Sequence, residues 1–279
     1  MTSTADPLAP LGALPGVADA VASVRTAVDR VYGHRVMRRR SAEVTAEAAL
    51  RGARGSAALD GADWALEEVR RRSDFGAAGE PRTVGAALRL TAEAGQLLDV
   101  WRQSPLRVLA RLHLVAASGD ADEQRVGRPR LAGEPVADAV PGKETAGLPE
   151  LPSADEVSAR LDALAGIVTT GTAAPALVQA AVVHGELRTL RPFGSYNGLV
   201  ARAAERVVLV ASGLDPKSIC PAEVGHAEQG REAYESALGG YASGTPEGMA
   251  EWIAFCGRSV ELGVRESTAV CEAMQRGAA

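Results

Sequence analysis

The chain is poor in cysteine and in aromatic side chains. Its three cysteines, Cys220, Cys256 and Cys271, are an odd number at unrelated spacings. They give neither a disulfide framework nor a zinc signature, and suit a reducing, cytoplasmic setting. Aromatics make up 4% of the 279 residues, too few for a sandwich or barrel built on aromatic and β-branched strands. No apolar run reaches the roughly 18 residues of a membrane span. Residues 1–15 lack a basic segment followed by an apolar one, so no secretory leader is read there. Positive charge is not in excess either. The formal net charge of −5 excludes a global electrostatic case for nucleic acid. Missing too are a Walker loop, a dinucleotide-type glycine fingerprint, an HExxH pair and a Gly-x-Ser-x-Gly elbow. His34, His113, His184 and His226 stand far apart in sequence, so no metal cluster is readable, and a lone His on an alanine-rich helix reads as structural.

What is present is alanine and helical periodicity. With 46% hydrophobic residues the chain can bury a sizeable core, and small side chains at helical spacing predict closely packed helices and an all-α fold. Residues 1–15, with three prolines, are expected to form a flexible arm. An N-terminal helical region follows over 16–117. Val17, Val21, Val24, Val28 and Val31 predict a helix over 17–32, and a second over 42–52 is expected to stop at the glycines near 52–55. Arg35, Arg38, Arg39 and Arg40 read as a solvated helix end. Ser56 reads as an N-cap, with helices following over 83–101 and 106–117. Residues 118–152 are dense in glycine, proline and charge. They are expected to form a mobile flap that proteases nick early, with a short β-hairpin within 127–145 as the one candidate for strand. A core over 153–275 opens on a capping box, Ser153 with Glu156, and continues as helices over 175–190, 197–212, 227–241 and 246–274.

One segment carries chemistry. It runs from an apolar helix with His184 through Arg191, Pro192, Phe193, Gly194, Ser195, Tyr196, Asn197 and Gly198 to Arg202. It resembles the Fic (Fido-domain) signature H-P-F-x-D/E-G-N-G-R-x-x-R, with Pro192, Phe193, Asn197, Gly198 and Arg202 on matching positions. Ser56, Asp60 and Gly61 resemble the family's N-terminal inhibitory motif S/T-x-x-x-E-G/N. Trp252 and Phe255 resemble its closing W-x-x-F segment, and the Gly-Arg-Pro-Arg run at 127–130 stands where the family has its target-docking flap. The resemblance covers roughly residues 40–265 and implies a Fic-type helical bundle with an N-terminal helical extension. It also implies a nucleotide, ATP or another, bound around Ser195, Tyr196, Asn197, Gly198 and Arg202, and a protein partner met through 118–152.

The departures change the expected chemistry. Arg191 stands at the family's catalytic histidine, and a guanidinium does not give up its proton near neutral pH. Ser195 stands at the carboxylate that holds Mg²⁺, so no metal is expected. Tyr196 replaces a loop glycine and Leu199 an arginine, which adds bulk where amides would approach phosphate and is expected to change the loop. Three readings follow: a degenerate Fic-fold protein that binds nucleotide or protein without AMP transfer; an active nucleotidyl or phosphoryl transferase with Arg191 and Arg202 clamping phosphate; and an interaction protein whose pocket Tyr196 fills. Arg191 and Arg202 either face one anion pocket beside the helix that begins at Asn197, or pair with Glu186 or Glu205. His184, at a position where the family has a structural histidine, reads as structural rather than as a replacement base. The family's inhibitory glutamate pairs with the final arginine of the signature, which here would be Asp60 with Arg202; otherwise Asp60 only ends a helical turn before Gly61.

Overall fold

The valines of 17–31 bury one face of helix α1 (Val17–Tyr32), whose Val17, Val24, Val28 and Val31 are each at most 2% exposed. The computed structural model describes residues 6–119, 123–137 and 149–277. Eleven further α-helices follow among them: α2 (Met37–Leu59), α3 (Leu66–Arg71), α4 (Glu80–Ala94), α5 (Leu98–Trp101), α6 (Pro105–Ala116), α7 (Ala154–Thr170), α8 (Ala176–Leu190), α9 (Asn197–Ala211), α10 (Ala222–Gln229), α11 (Arg231–Ser243) and α12 (Pro246–Gln275). The described residues contain no strand, so the fold is all-α. The hairpin considered within 127–145 does not form over 127–137, and 138–148 lie outside the described residues. No described helix is long and apolar enough to cross a membrane.

Helices α8 and α9 form the centre, joined by the motif loop and buried almost from end to end. On one side α12 packs on α1, α10 and α11; on the other, α2, α4 and α6 close the core. The 30 residues of α12 span about 45 Å. Where α10 crosses α12 only glycine fits, because a Cβ at Gly225 would stand 2.1 Å from the Ser259 carbonyl oxygen.

Several boundaries depart from the sequence expectation. Helix α2 kinks at Arg40 and then runs through Gly52 and Gly55 without stopping. Those glycines admit neighbours instead: Cβ atoms there would meet the Arg206 guanidinium at 2.3 Å and the Glu223 carbonyl at 2.7 Å. Ser56 is therefore no N-cap; it lies in the last turn of α2 and is 4% exposed. The helix expected over 227–241 is two, broken at Gly230 (φ 91°). Of the arm expected over 1–15, residues 9–13 form a 3₁₀ turn, Leu8 is buried, and the Asp6 carboxylate accepts from the Thr172 hydroxyl at 2.8 Å and the Ala173 amide at 2.7 Å. Residues 1–5 lie outside the described residues. Ser153 caps α7 as its sequence suggests, accepting from the Glu156 amide at 3.1 Å.

Candidate functional site

The motif loop turns the chain from α8 into α9 through two left-handed residues, Arg191 (φ 45°) and Tyr196 (φ 57°). Left-handed backbone is uncommon for such side chains and persists where surrounding structure holds it. The side chain of Asn197 is one restraint. Its Oδ1 accepts from the Phe193 amide and its Nδ2 donates to the Phe193 carbonyl, each at 2.9 Å. A second is His113 of α6, stacked on Phe193 with centroids 4.2 Å apart. A third is the segment before residue 138, where the Arg130 amide donates to Pro192 O at 2.7 Å and the Ala137 amide to Gly194 O at 2.8 Å. The Gly-Arg-Pro-Arg run thus lies along the motif loop. Tyr196 keeps a backbone that favours glycine, and its side chain is 5% exposed.

Arg191 is 7% exposed and donates through Nη2 to the Pro149 carbonyl. Neither it nor Arg202 pairs with Glu186 or Glu205. Glu186 is taken by Arg160, at 2.7 and 2.8 Å, and by the Tyr241 hydroxyl at 2.9 Å. Arg202, 1% exposed, turns to the end of α2. Its Nε donates to Ser56 Oγ at 2.8 Å, its Nη2 to Ser56 O at 3.0 Å, and Nη2 lies 3.0 Å from Asp60 Oδ1. The Asp60 carboxylate rests against Gly198, where a Cβ would meet Oδ1 at 2.7 Å and Oδ2 at 3.0 Å. It therefore sits at the first turn of α9, where unpaired amides and the helix dipole favour an anion. Asp60 and Arg202, 142 positions apart in the chain, meet over the loop.

Sequence reasoning missed two features. Arg188, in the last turn of α8, is 5% exposed, and its Nε and Nη1 make no hydrogen bond among the described residues. Arg202 itself is met by the Tyr234 hydroxyl besides Ser56 and Asp60. Burial raises the Tyr234 phenol pKa against the pull of these two cations, which places all three together. A charge on a helix buried almost from end to end was the available signal.

The second feature corrects the reading of isolated histidines. His184 (α8), Glu205 (α9), His226 (α10) and Cys256 (α12) converge, their ligand atoms all within 4.8 Å of one another. Glu205 Oε2 stands 2.9 Å from His184 Nδ1 and 2.8 Å from His226 Nε2. Burial lowers the His184 pKa to about 4. Trp252 and Phe255, stacked with centroids 5.9 Å apart, wall the cluster, and Trp252 Nε1 donates to Ala181 O at 2.8 Å.

No family model and no curated protein matches the chain. Solved structures do. A Fic family protein from Desulfovibrio desulfuricans superposes with a TM-score of 0.69 at 21% identity, covering 90% of this chain and 74% of that one. Fic-1 from C. elegans gives 0.61 at 16% identity over 92% and 73% of the two chains. A Fic domain containing signaling protein from Bacteroides thetaiotaomicron gives 0.58 at 12% identity over 91% and 97%. These likenesses establish the Fic-domain fold.

Proposed function

We propose that this Fic-fold chain binds a nucleotide or another polyphosphate at the N-terminus of α9 and does not transfer a nucleotidyl group. The observation that carries the reading is the pair of unspent donors on buried Arg188, Nε and Nη1, together with the Arg202 guanidinium at the first turn of α9. Buried guanidinium donors are costly unless an anion meets them, and phosphate oxygens match that planar fork. The first turn of α9 adds unpaired amides. Asp60 then acts as an internal plug: it pairs with Arg202 and lies against Gly198, on the ground a phosphate would take.

Transfer to a hydroxyl needs a base, and the loop offers none. Arg191 has five donors and no acceptor. His113, stacked on Phe193, accepts the Gly127 amide on Nδ1 at 3.0 Å, and burial lowers its pKa to about 4. His184 is fully enclosed, with Tyr234 Oη 2.7 Å from its Nε2. Nor does Mg²⁺ fit the loop's donor set. Ser195 brings no carboxylate, and Asp60 is held by Arg202. A protein partner would meet the loop through the segment docked on it, where Leu131 is 58% exposed.

Incubating the purified chain with labelled ATP, GTP and UDP-sugars in cell lysate should leave every protein unlabelled, and Arg191→His alone should not rescue transfer. Calorimetry with the same nucleotides should give a binding isotherm. Labelling by the wild type overturns the reading in favour of a rearranged transferase. Absence of binding by both the wild type and Asp60→Ala leaves an interaction protein with Tyr196 filling the pocket.

A further inference from the structure

We infer that His184, Glu205, His226 and Cys256 form a structural zinc site that ties α8, α9, α10 and α12 together. The donor set is the first argument. Two imidazoles, a carboxylate and a thiol match the nitrogen, oxygen and sulfur ligands that Zn²⁺ takes in four-coordinate sites. The four ligand atoms already lie within 4.8 Å of one another. Ligands 2.0–2.1 Å from a tetrahedral zinc stand about 3.3 Å apart, so small side-chain movements complete the geometry.

The hydrogen bonds around the cluster give a second argument, independent of residue type. Ser259 Oγ donates to Phe255 O at 3.1 Å and accepts from Gln229 Nε2 at 2.7 Å. It also lies 2.8 Å from His226 Nδ1, a contact that either imidazole tautomer can make. His226 Nε2 faces Glu205 Oε2, 2.8 Å away. A proton on Nε2 satisfies that one contact only. It leaves Glu205 Oε1 with no hydrogen bond and His184 Nδ1 near the carboxylate but off hydrogen-bonding geometry, both fully buried. A divalent ion engages one Glu205 oxygen, both imidazole nitrogens and the Cys256 sulfur at once.

The outward nitrogens complete the arrangement. His184 Nε2 is held by Tyr234 Oη at 2.7 Å and His226 Nδ1 by Ser259, the kind of supporting contact that orients metal-ligating imidazoles. Coordination expels the Cys256 thiol proton to solvent. Zn²⁺ with one thiolate, one carboxylate and two neutral imidazoles is then uncharged overall, which suits the apolar walls of Trp252 and Phe255. With all four positions filled by protein and no exposure to solvent, the ion has no open coordination position for substrate. It is a folding element.

The test uses the full chain, unfolded in chelator and refolded with Zn²⁺ or Co²⁺ alone. Elemental analysis should find about one zinc per chain, and the cobalt form should show tetrahedral d–d bands with a thiolate charge-transfer band. Cys256→Ser should abolish the charge-transfer band and weaken zinc binding at least tenfold. Glu205→Gln should weaken it further; if that variant does not fold, Cys256→Ser keeps the test intact. A chain that refolds to native helicity and takes up neither metal overturns the proposal, leaving a proton-held cluster. Metal that binds equally well in Cys256→Ser overturns it too, because the ion then lies elsewhere.

Discussion

Arg202 and Glu205 lie one turn apart on α9, and each is about 1% exposed, yet their charges are handled differently. Glu205 is enclosed by side chains from three other helices. Arg202 reaches the end of α2, where the carboxylate that answers it, Asp60, is 12% exposed and rests on the first turn of α9. A third member of the row, Arg206, makes a bidentate pair with Glu223 at 2.8 Å, with both side chains almost wholly buried. One helix thus carries two sealed charge sites and one whose partner stands at the rim. A sealed charge serves the fold, because removing its partner leaves an ion in a low dielectric. A rim partner can be displaced by a stronger ligand of the same sign. That contrast is why the nucleotide reading belongs to Arg202 and the structural reading to Glu205.

The largest effect should come from opening a sealed pair. Glu223→Ala strands Arg206 and should cost about 3–5 kcal/mol in urea unfolding. A cost under about 1 kcal/mol, the range of exposed pairs, would remove the distinction between sealed and rim sites.

Acid should act next, through the histidine beneath the motif loop. Burial lowers the His113 pKa from 6.5 to about 4, so the unfolded chain takes up a proton before the folded chain does. Stability from this residue is complete above pH 6.5 and is lost as the pH falls towards 4, by about 3 kcal/mol in all. His113→Gln keeps an acceptor for the Gly127 amide but has no titrating group. Its unfolding free energy should fall less between pH 7 and pH 4.5 than that of the wild type. Parallel pH slopes would show that His113 is not shielded from protons.

A smaller effect probes the rim directly. A methyl group at Gly198 would meet Asp60 at 2.7 Å and Arg202 Nη1 at 3.2 Å. Gly198→Ala should therefore cost about 1–3 kcal/mol in the wild type, as overpacking does. With Asp60→Ala also present most of that cost should disappear, since alanine otherwise favours the helix. Equal costs in the two backgrounds would mean that the carboxylate is not seated on α9 in solution.

How much of this was legible depended on distance along the chain. The ends of α1 follow from its valine spacing, the cap of α7 from Ser153 and Glu156, and the motif loop is one local stretch. The glycines of α2 misled because glycine has two uses. At 52 and 55 it makes room for Arg206 and for the backbone of α10 rather than ending a helix. Ser56 misled likewise, since a hydroxyl next to a glycine suits a cap and suits equally a buried acceptor for an arginine 146 positions away. The cluster around Glu205 draws one residue from each of four helices, and no spacing rule covers that. Only packing brings those residues together.

The smallest stability effect carries the functional question. Asp60 is partly exposed, and Arg202 keeps Ser56 Oγ and Ser56 O when the carboxylate is removed. Asp60→Ala should then cost only about 1–2 kcal/mol, between an exposed pair and a sealed one. The same contact competes with any phosphate, because both need the Arg202 guanidinium and the first turn of α9. A ligand that must first displace Asp60 binds more weakly by the worth of that contact, and about 1.4 kcal/mol corresponds to a factor of ten. Asp60→Ala should accordingly tighten ATP binding about tenfold in calorimetry, and Asp60→Asn should fall between it and the wild type. Transfer should stay absent, since Arg191 still offers no acceptor for a hydroxyl proton. Unchanged or weaker affinity in a variant with native helicity would mean that Asp60 does not guard the site and only closes the end of α2.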